Sequence, residues 1–131
     1  MKNYQQLDSK AFDRYFSGIG HERSVILYLK TASLFIRSFD EKLSELVGHL
    51  EADRTRDAVV IAHRLKGSLL TLGGNALADI FRRIEVELDP QNHSEYLSLL
   101  KKQDRVIQLF IAELRDWTNE LESSVKVKLQ S

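Results

Sequence analysis

The residues best placed to do chemistry lie in the run Ala62-His63-Arg64-Leu65-Lys66-Gly67-Ser68. On a helix turning about 100° per residue, Ala58, Ile61, Ala62, Leu65, Leu69 and Leu72 gather in one stripe, the face that an amphipathic helix buries. His63 falls about 140° from the centre of that stripe, among Arg56, Val59, Val60, Lys66, Gly67 and Leu70. The pattern sets an imidazole in water, an ammonium one turn along, and a glycine where a side chain would crowd the ring. Three apolar side chains face outward beside it. An exposed histidine offers an unprotonated ring nitrogen near neutral pH, and that lone pair is a nucleophile toward a group brought from outside. Gly67 costs about 1 kcal/mol against alanine in a helix interior, which points to a steric reason for its presence.

The elements that must hold these residues follow from periodicity and breakers. A short helix is expected after a cap at Asp8 or Ser9, with Ala11, Phe12, Tyr15, Phe16 and Ile19 on one face and Gly18 and Gly20 ending it. A long helix follows from about Glu22 to Glu51. Its apolar positions Val25, Leu29, Ala32, Phe35 or Ile36, Phe39, Leu43, Leu46 or Val47, and Leu50 step by three or four. Asp53 is the expected cap of the His63 helix, Gly73-Gly74 its end, and Asn75 the cap of the next. Leu77, Ile80 or Phe81, Ile84 and Leu88 form the inner face of that fourth helix. After the turn Asp89-Pro90-Gln91-Asn92, Ser94 is expected to cap one long final helix with Leu97, Leu100, Ile107, Phe110 or Ile111, Leu114, Trp117 and Leu121 inward. Residues 1–7 and 123–131 read as loose tails. The expectation is a single all-α domain over residues 1–131, an antiparallel four-helix bundle with an extra short N-terminal helix.

Composition narrows the function. The 131 residues carry 19 basic and 19 acidic side chains, so no general field draws the chain to nucleic acid or to an anionic membrane. There is no cysteine, which removes disulfides, thiolate metal sites and thiol catalysis. No apolar run approaches the 18 or so residues that span a bilayer, and Met1–Gln6 lacks the apolar core of a signal peptide. A cytoplasmic setting is expected. Glu45 and His49 stand at i, i+4, but the inward Glu-x-x-His pairs of di-iron bundles are absent, so no metal or other cofactor is expected in this chain. His21, His49 and His93 read as structural or incidental.

The run His63-x-Leu65-Lys66-Gly67-Ser68, followed by Leu72-Gly73, Leu77, Ile84 and Glu85, resembles the signature of histidine-containing phosphotransfer (HPt) domains of two-component phosphorelays. Phe35 and Asp53 fall where that family places a helix-core phenylalanine and an acidic turn residue. The resemblance spans roughly residues 8–85. Leu69, Leu70 and Phe81 depart from the small residues common there, as packing variation that leaves the histidine's surroundings intact. The resemblance implies a phosphorelay intermediate. His63 would accept a phosphoryl group from a receiver-domain aspartate and pass it to another, with Lys66 offsetting the charge and Gly67 keeping the surface open. It also implies that Glu85 accepts a hydrogen bond from Nδ1 and leaves Nε2 as the nucleophile.

The implied partners are response-regulator receiver domains, with a hybrid sensor histidine kinase among the proteins the chain could serve. They would bring the magnesium needed for transfer. Val59, Val60 and Leu70, with Arg64, are expected in the docking patch, and Phe12 and Phe16 at its edge, because the other helices are read as polar on their outer faces. The interface is expected to be small and transient, between monomers. Two other readings compete. A pure interaction module would be free to lose the His63-Lys66-Gly67 set. An autonomous kinase would need a nucleotide signature, and the chain has no Gly-x-x-x-x-Gly-Lys loop.

Overall fold

The structure, a computed structural model, describes residues 3–130, with side chains described through Lys126. Within that range it is an all-helical bundle of α1 (Lys10–Phe16), α2 (His21–Glu51), α3 (Thr55–Leu72), α4 (Asn75–Glu87), α5 (His93–Lys101) and α6 (Asp104–Gln130). The core draws on each helix. Val25, Tyr28, Ala32, Phe35, Phe39, Leu46 and Leu50 of α2 face Ala58, Ile61, Ala62, Leu65, Leu69 and Leu72 of α3. Ala11, Phe12 and Phe16 of α1, Leu77, Ala78, Phe81 and Ile84 of α4, Tyr96 and Leu100 of α5, and Ile107, Phe110, Leu114 and Leu121 of α6 complete it. The spacing of these residues by three and four explains why each segment is helical and which face it buries.

The two turns flanking α3 fix where its outward face points. At the first, Asp53 does not cap α3 as expected. It takes a left-handed conformation (φ 57°), which aspartate tolerates better than most residues. The helix starts after Arg54, which makes no side-chain cap. His93, buried at the start of α5, holds this turn. Its Nδ1 donates to the Leu50 carbonyl at 3.0 Å and its Nε2 lies 2.8 Å from the Thr55 hydroxyl, so one ring joins the end of α2 to the start of α3. At the second turn, Gly73 is left-handed (φ 98°). Gly74 N–H donates to Leu69 O at 2.7 Å and Gly73 N–H to Leu70 O at 3.3 Å, the paired bonds of a Schellman ending. A Cβ on Gly73 would run into the Asp8 carbonyl, and one on Gly74 would come within 3.0 Å of the Phe110 ring. Glycine is required at Gly73, where the clash is with backbone and φ is positive, and the side chains packed on Gly74 would have to give way to any Cβ there.

Several local expectations are corrected. Asn75 is the first residue of α4 and makes no cap; its amide donates to Asp8 Oδ2 at 3.2 Å. Of the two caps expected for α1, Ser9 makes no side-chain bond, whereas Asp8 Oδ1 accepts from the Lys10 amide at 3.0 Å. Tyr15 and Ile19, expected on the inner face of α1, are half exposed. The N-terminal lead-in is strapped down from Tyr4 onward. The Glu113 carboxylate on α6 accepts from the amides of Gln5 (2.6 Å), Gln6 (2.7 Å) and Leu7 (3.3 Å), the Tyr4 hydroxyl donates to Asp116, and Leu7 is buried. The single long final helix is two helices, α5 and α6. Three and four residues beyond Leu100, where a continuing helix would need an apolar inner face, stand Gln103 and the exposed Asp104, and the chain reorients there. At the other end, α6 continues past Ser123, with Val125 packed against the core, so that stretch is helix and not a loose tail. Met1, Lys2 and Ser131 lie outside the described residues.

Candidate functional site

Because α3 buries the stripe centred on Leu65, His63 must face out. Its side chain is 65% exposed, while Leu65 is buried. Lys66 lies on the side of α3 that packs on α4. There Ile84, fully buried, pins the backbone of α4 and sets the next residue, Glu85, at the rim of the α3–α4 contact. The Glu85 carboxylate spans both α3 residues. Oε1 lies 2.6 Å from His63 Nδ1 and Oε2 lies 2.7 Å from Lys66 Nζ.

The electrostatics of this triad decide the state of the imidazole. The hydrogen bond from Lys66, then that from His63, lowers the Glu85 pKa, and partial burial opposes them only in part. The carboxyl is therefore ionised at neutral pH and can only accept. Nδ1 must carry the proton it donates, and in the neutral ring the lone pair then resides on Nε2. No hydrogen bond to Nε2 exists among the described residues. The other histidines differ: His93 is buried with both nitrogens engaged, His21 Nε2 lies 3.1 Å from Ser124 Oγ, and His49 Nε2 lies 3.9 Å from Glu45.

On the other side of His63 the surface is open. A Cβ built on Gly67 meets nothing within 4 Å. Nothing among the described residues demands a glycine there. A groove between α2 and α3 runs beside it, lined by Thr31, Leu34 and Ser38 from α2 and by His63, Arg64 and Gly67 from α3.

The apolar residues divide. Val60 and Leu70 are exposed and Val59 is half-buried. Phe12 and Phe16 do not belong to this surface: both are buried, and their rings pack edge-on against Tyr28, with Phe12 also against Trp117. The aromatic face of a short helix needs burial more than an edge-of-patch position provides, and α1 supplies it by closing over the N-terminal part of α2. Nor are the outer faces of the other helices uniformly polar. Ile26, Leu27 and Leu34 on α2 and Val86 on α4 are exposed, Leu34 by 60%. Leu34 lines the groove beside His63. Its signal was in the sequence, since Leu27 and Leu34 fall off the inner stripe of α2.

The model of the Hpt domain family matches residues 30–123, from the middle of α2 into α6. The chain belongs to the Hpt domain family. Hpt domains are helical phosphocarrier modules of two-component signalling, working with receiver domains and kinases. The chain has no match among curated proteins and none among solved structures. Among the described residues of this Hpt domain, no group of three potential metal ligands occurs and no helix is long and apolar enough to cross a membrane.

Proposed function

We propose that His63 is the phosphoacceptor of this Hpt domain, taking a phosphoryl group from the aspartate of one receiver domain and giving it to the aspartate of another. The observation that carries this reading is the Glu85 carboxylate shared between His63 Nδ1 and Lys66 Nζ, which in the neutral ring puts the lone pair on Nε2 of an exposed side chain. In the forward step the Nε2 lone pair attacks phosphorus, the Nε2–P bond forms, the P–O bond to the aspartate breaks, and that carboxylate leaves with the electron pair. The ring gains positive character as it bonds, and Glu85, facing the Nδ1 proton, stabilises it. This is the way a carboxylate orients and supports a reacting histidine elsewhere. The reverse step runs through the same atoms. Magnesium, held by the receiver, would neutralise the phosphoryl oxygens during transfer.

The receiver would dock over Val60, Leu70 and the exposed edge of Val59, extended across the groove by Leu34. This is an apolar surface rimmed by charge and small enough to release one partner before the next arrives. The bare surface at Gly67 gives the phosphorylated aspartate its line of approach. The domain would work as a monomer with no nucleotide site of its own. The experiment is transfer of label from phosphorylated receiver domains to this protein and to His63→Gln. Acid-labile label in the wild type alone is the expected result. Binding without label would make the domain a docking module.

A further inference from the structure

A phosphoryl group on His63 Nε2 would bring close to two negative charges at neutral pH, by analogy with other phosphorylated side chains. Lys66 meets it already neutralised, because its ammonium lies 2.7 Å from Glu85 Oε2 and the pair together carries no net charge. Turning Lys66 to the phosphate would strip Glu85 of the stronger of its two supports. Lys42, on the α2 wall of the groove, is paired with Glu45 at 3.6 Å. On α4, Arg82 is held by Asp79 at 2.9 Å and Arg83 by Glu87 at 3.8 Å. Arg56 forms no ion pair among the described residues but stands seven residues, about 10 Å along the axis, from His63.

Arg64 differs from all of these. It follows His63 directly, is exposed, lines the same groove, and forms no ion pair or hydrogen bond among the described residues. On the surface of α3 it lies about 100° round from His63 toward α2. Gly67, one turn above, lies between the two directions, and a Cβ there would meet nothing. The side chain that would otherwise separate the guanidinium from a group on Nε2 is missing. Leu34 and Thr31 wall the far side.

Taking His63 as the phosphoacceptor, we propose that Arg64 binds the phosphoryl group on Nε2 across the bare surface of Gly67, while Lys66 stays on Glu85. The guanidinium offers paired N–H donors to phosphoryl oxygens, a geometry that lysine lacks. Bound in this way, the phosphoryl group is favoured on histidine relative to the receiver aspartate, and its dianion is favoured over its monoanion.

The test loads the protein from phosphoramidate, with no receiver present, and titrates the phosphoryl group by 31P NMR in wild type, Arg64→Ala, Arg64→Lys and Lys66→Ala. His63→Gln is the control for the site of loading. Arg64→Ala is expected to raise the phosphoryl pKa, with Arg64→Lys between it and wild type. When a receiver is added, the equilibrium ratio of phosphohistidine to phosphoaspartate is expected to fall about two- to fivefold in Arg64→Ala, the scale of a solvent-exposed charge pair. Arg64 is exposed, so the variants keep the fold, which circular dichroism checks. An Arg64→Ala titration identical to wild type overturns the proposal. If the shift appears in Lys66→Ala instead, Lys66 leaves Glu85 to serve the phosphate. A wild type that takes no label at His63 overturns the phosphoacceptor reading itself, and this assignment with it.

Discussion

Lys66 Nζ and Glu85 Oε2 lie 2.7 Å apart across the α3–α4 contact, on the carboxylate oxygen that His63 does not use. The lysine of the His63 helix is thereby an anchor for the residue that orients the histidine. Glu85→Ala frees both the ring and Lys66. One hydrogen bond to a charged group contributes about 1.5–3 kcal/mol, so phosphorylation of Glu85→Ala is expected to slow by about ten- to 150-fold, whereas His63→Gln abolishes it. Rates of label uptake from a phosphorylated receiver compare the two. A Glu85→Ala protein as inactive as His63→Gln would mean that Glu85 takes part in the chemistry beyond orienting the ring.

The same carboxylate gives a pH signature in stability. Its pKa is lowered in the folded protein by Lys66 and His63, so its stabilising contribution is present above the unfolded carboxyl pKa of about 4.3 and is lost as pH falls through the lower folded value. Glu85→Gln cannot ionise. The stability difference between wild type and Glu85→Gln is expected to hold steady at pH 5 and above and to shrink below about pH 4, measured by urea unfolding at a series of pH values. A difference that stays flat to pH 3 would show that the charge on Glu85 adds nothing to the fold.

Gly67 separates stability from function. With open space where its Cβ would be, Gly67→Ala should remove the entropic penalty of a helical glycine and raise stability by up to about 1 kcal/mol. It should also slow transfer, because the methyl group meets the incoming partner or its phosphate. Thermal unfolding and transfer rates on the same preparation read the two effects. A variant that is stabilised and transfers at the wild-type rate would leave the glycine without a role at the interface.

How much of this was legible beforehand depended on the range of the interactions. The inner faces of α2, α3 and α4 could be read from spacing alone, because burial of one stripe is a property of a single segment. The His63-Lys66-Gly67 set could be read for the same reason. Glu85 was reached only through family resemblance, since its partners lie 19 and 22 residues away and no local pattern joins them. Phe12 and Phe16 were misplaced because an amphipathic seven-residue helix shows that it has an apolar face without showing what covers it. The break at Lys102–Gln103 and the Glu113 clamp on residues 5–7 were hidden for a related reason. Neither uses glycine, proline or a capping residue, the signals by which turns and ends announce themselves.

Leu34 and Val60 carry the prediction for docking. Both are exposed, by 60% and 48%, and neither belongs to the core, so Leu34→Asp and Val60→Asp should leave the melting temperature within a few degrees of wild type. Receiver affinity should fall about tenfold or more, the effect of placing an unpaired charge in the apolar centre of an interface. Phe12→Ala should do the opposite. It removes a buried ring stacked on Phe16 and edge-on to Tyr28 and Trp117 and is expected to cost about 3–5 kcal/mol of stability, while the protein that remains folded binds the receiver as wild type does. Isothermal titration with an unphosphorylated receiver, beside thermal melts, distinguishes the two classes. Loss of affinity in folded Phe12→Ala would return α1 to the interface; unfolding of Leu34→Asp would move that residue into the core.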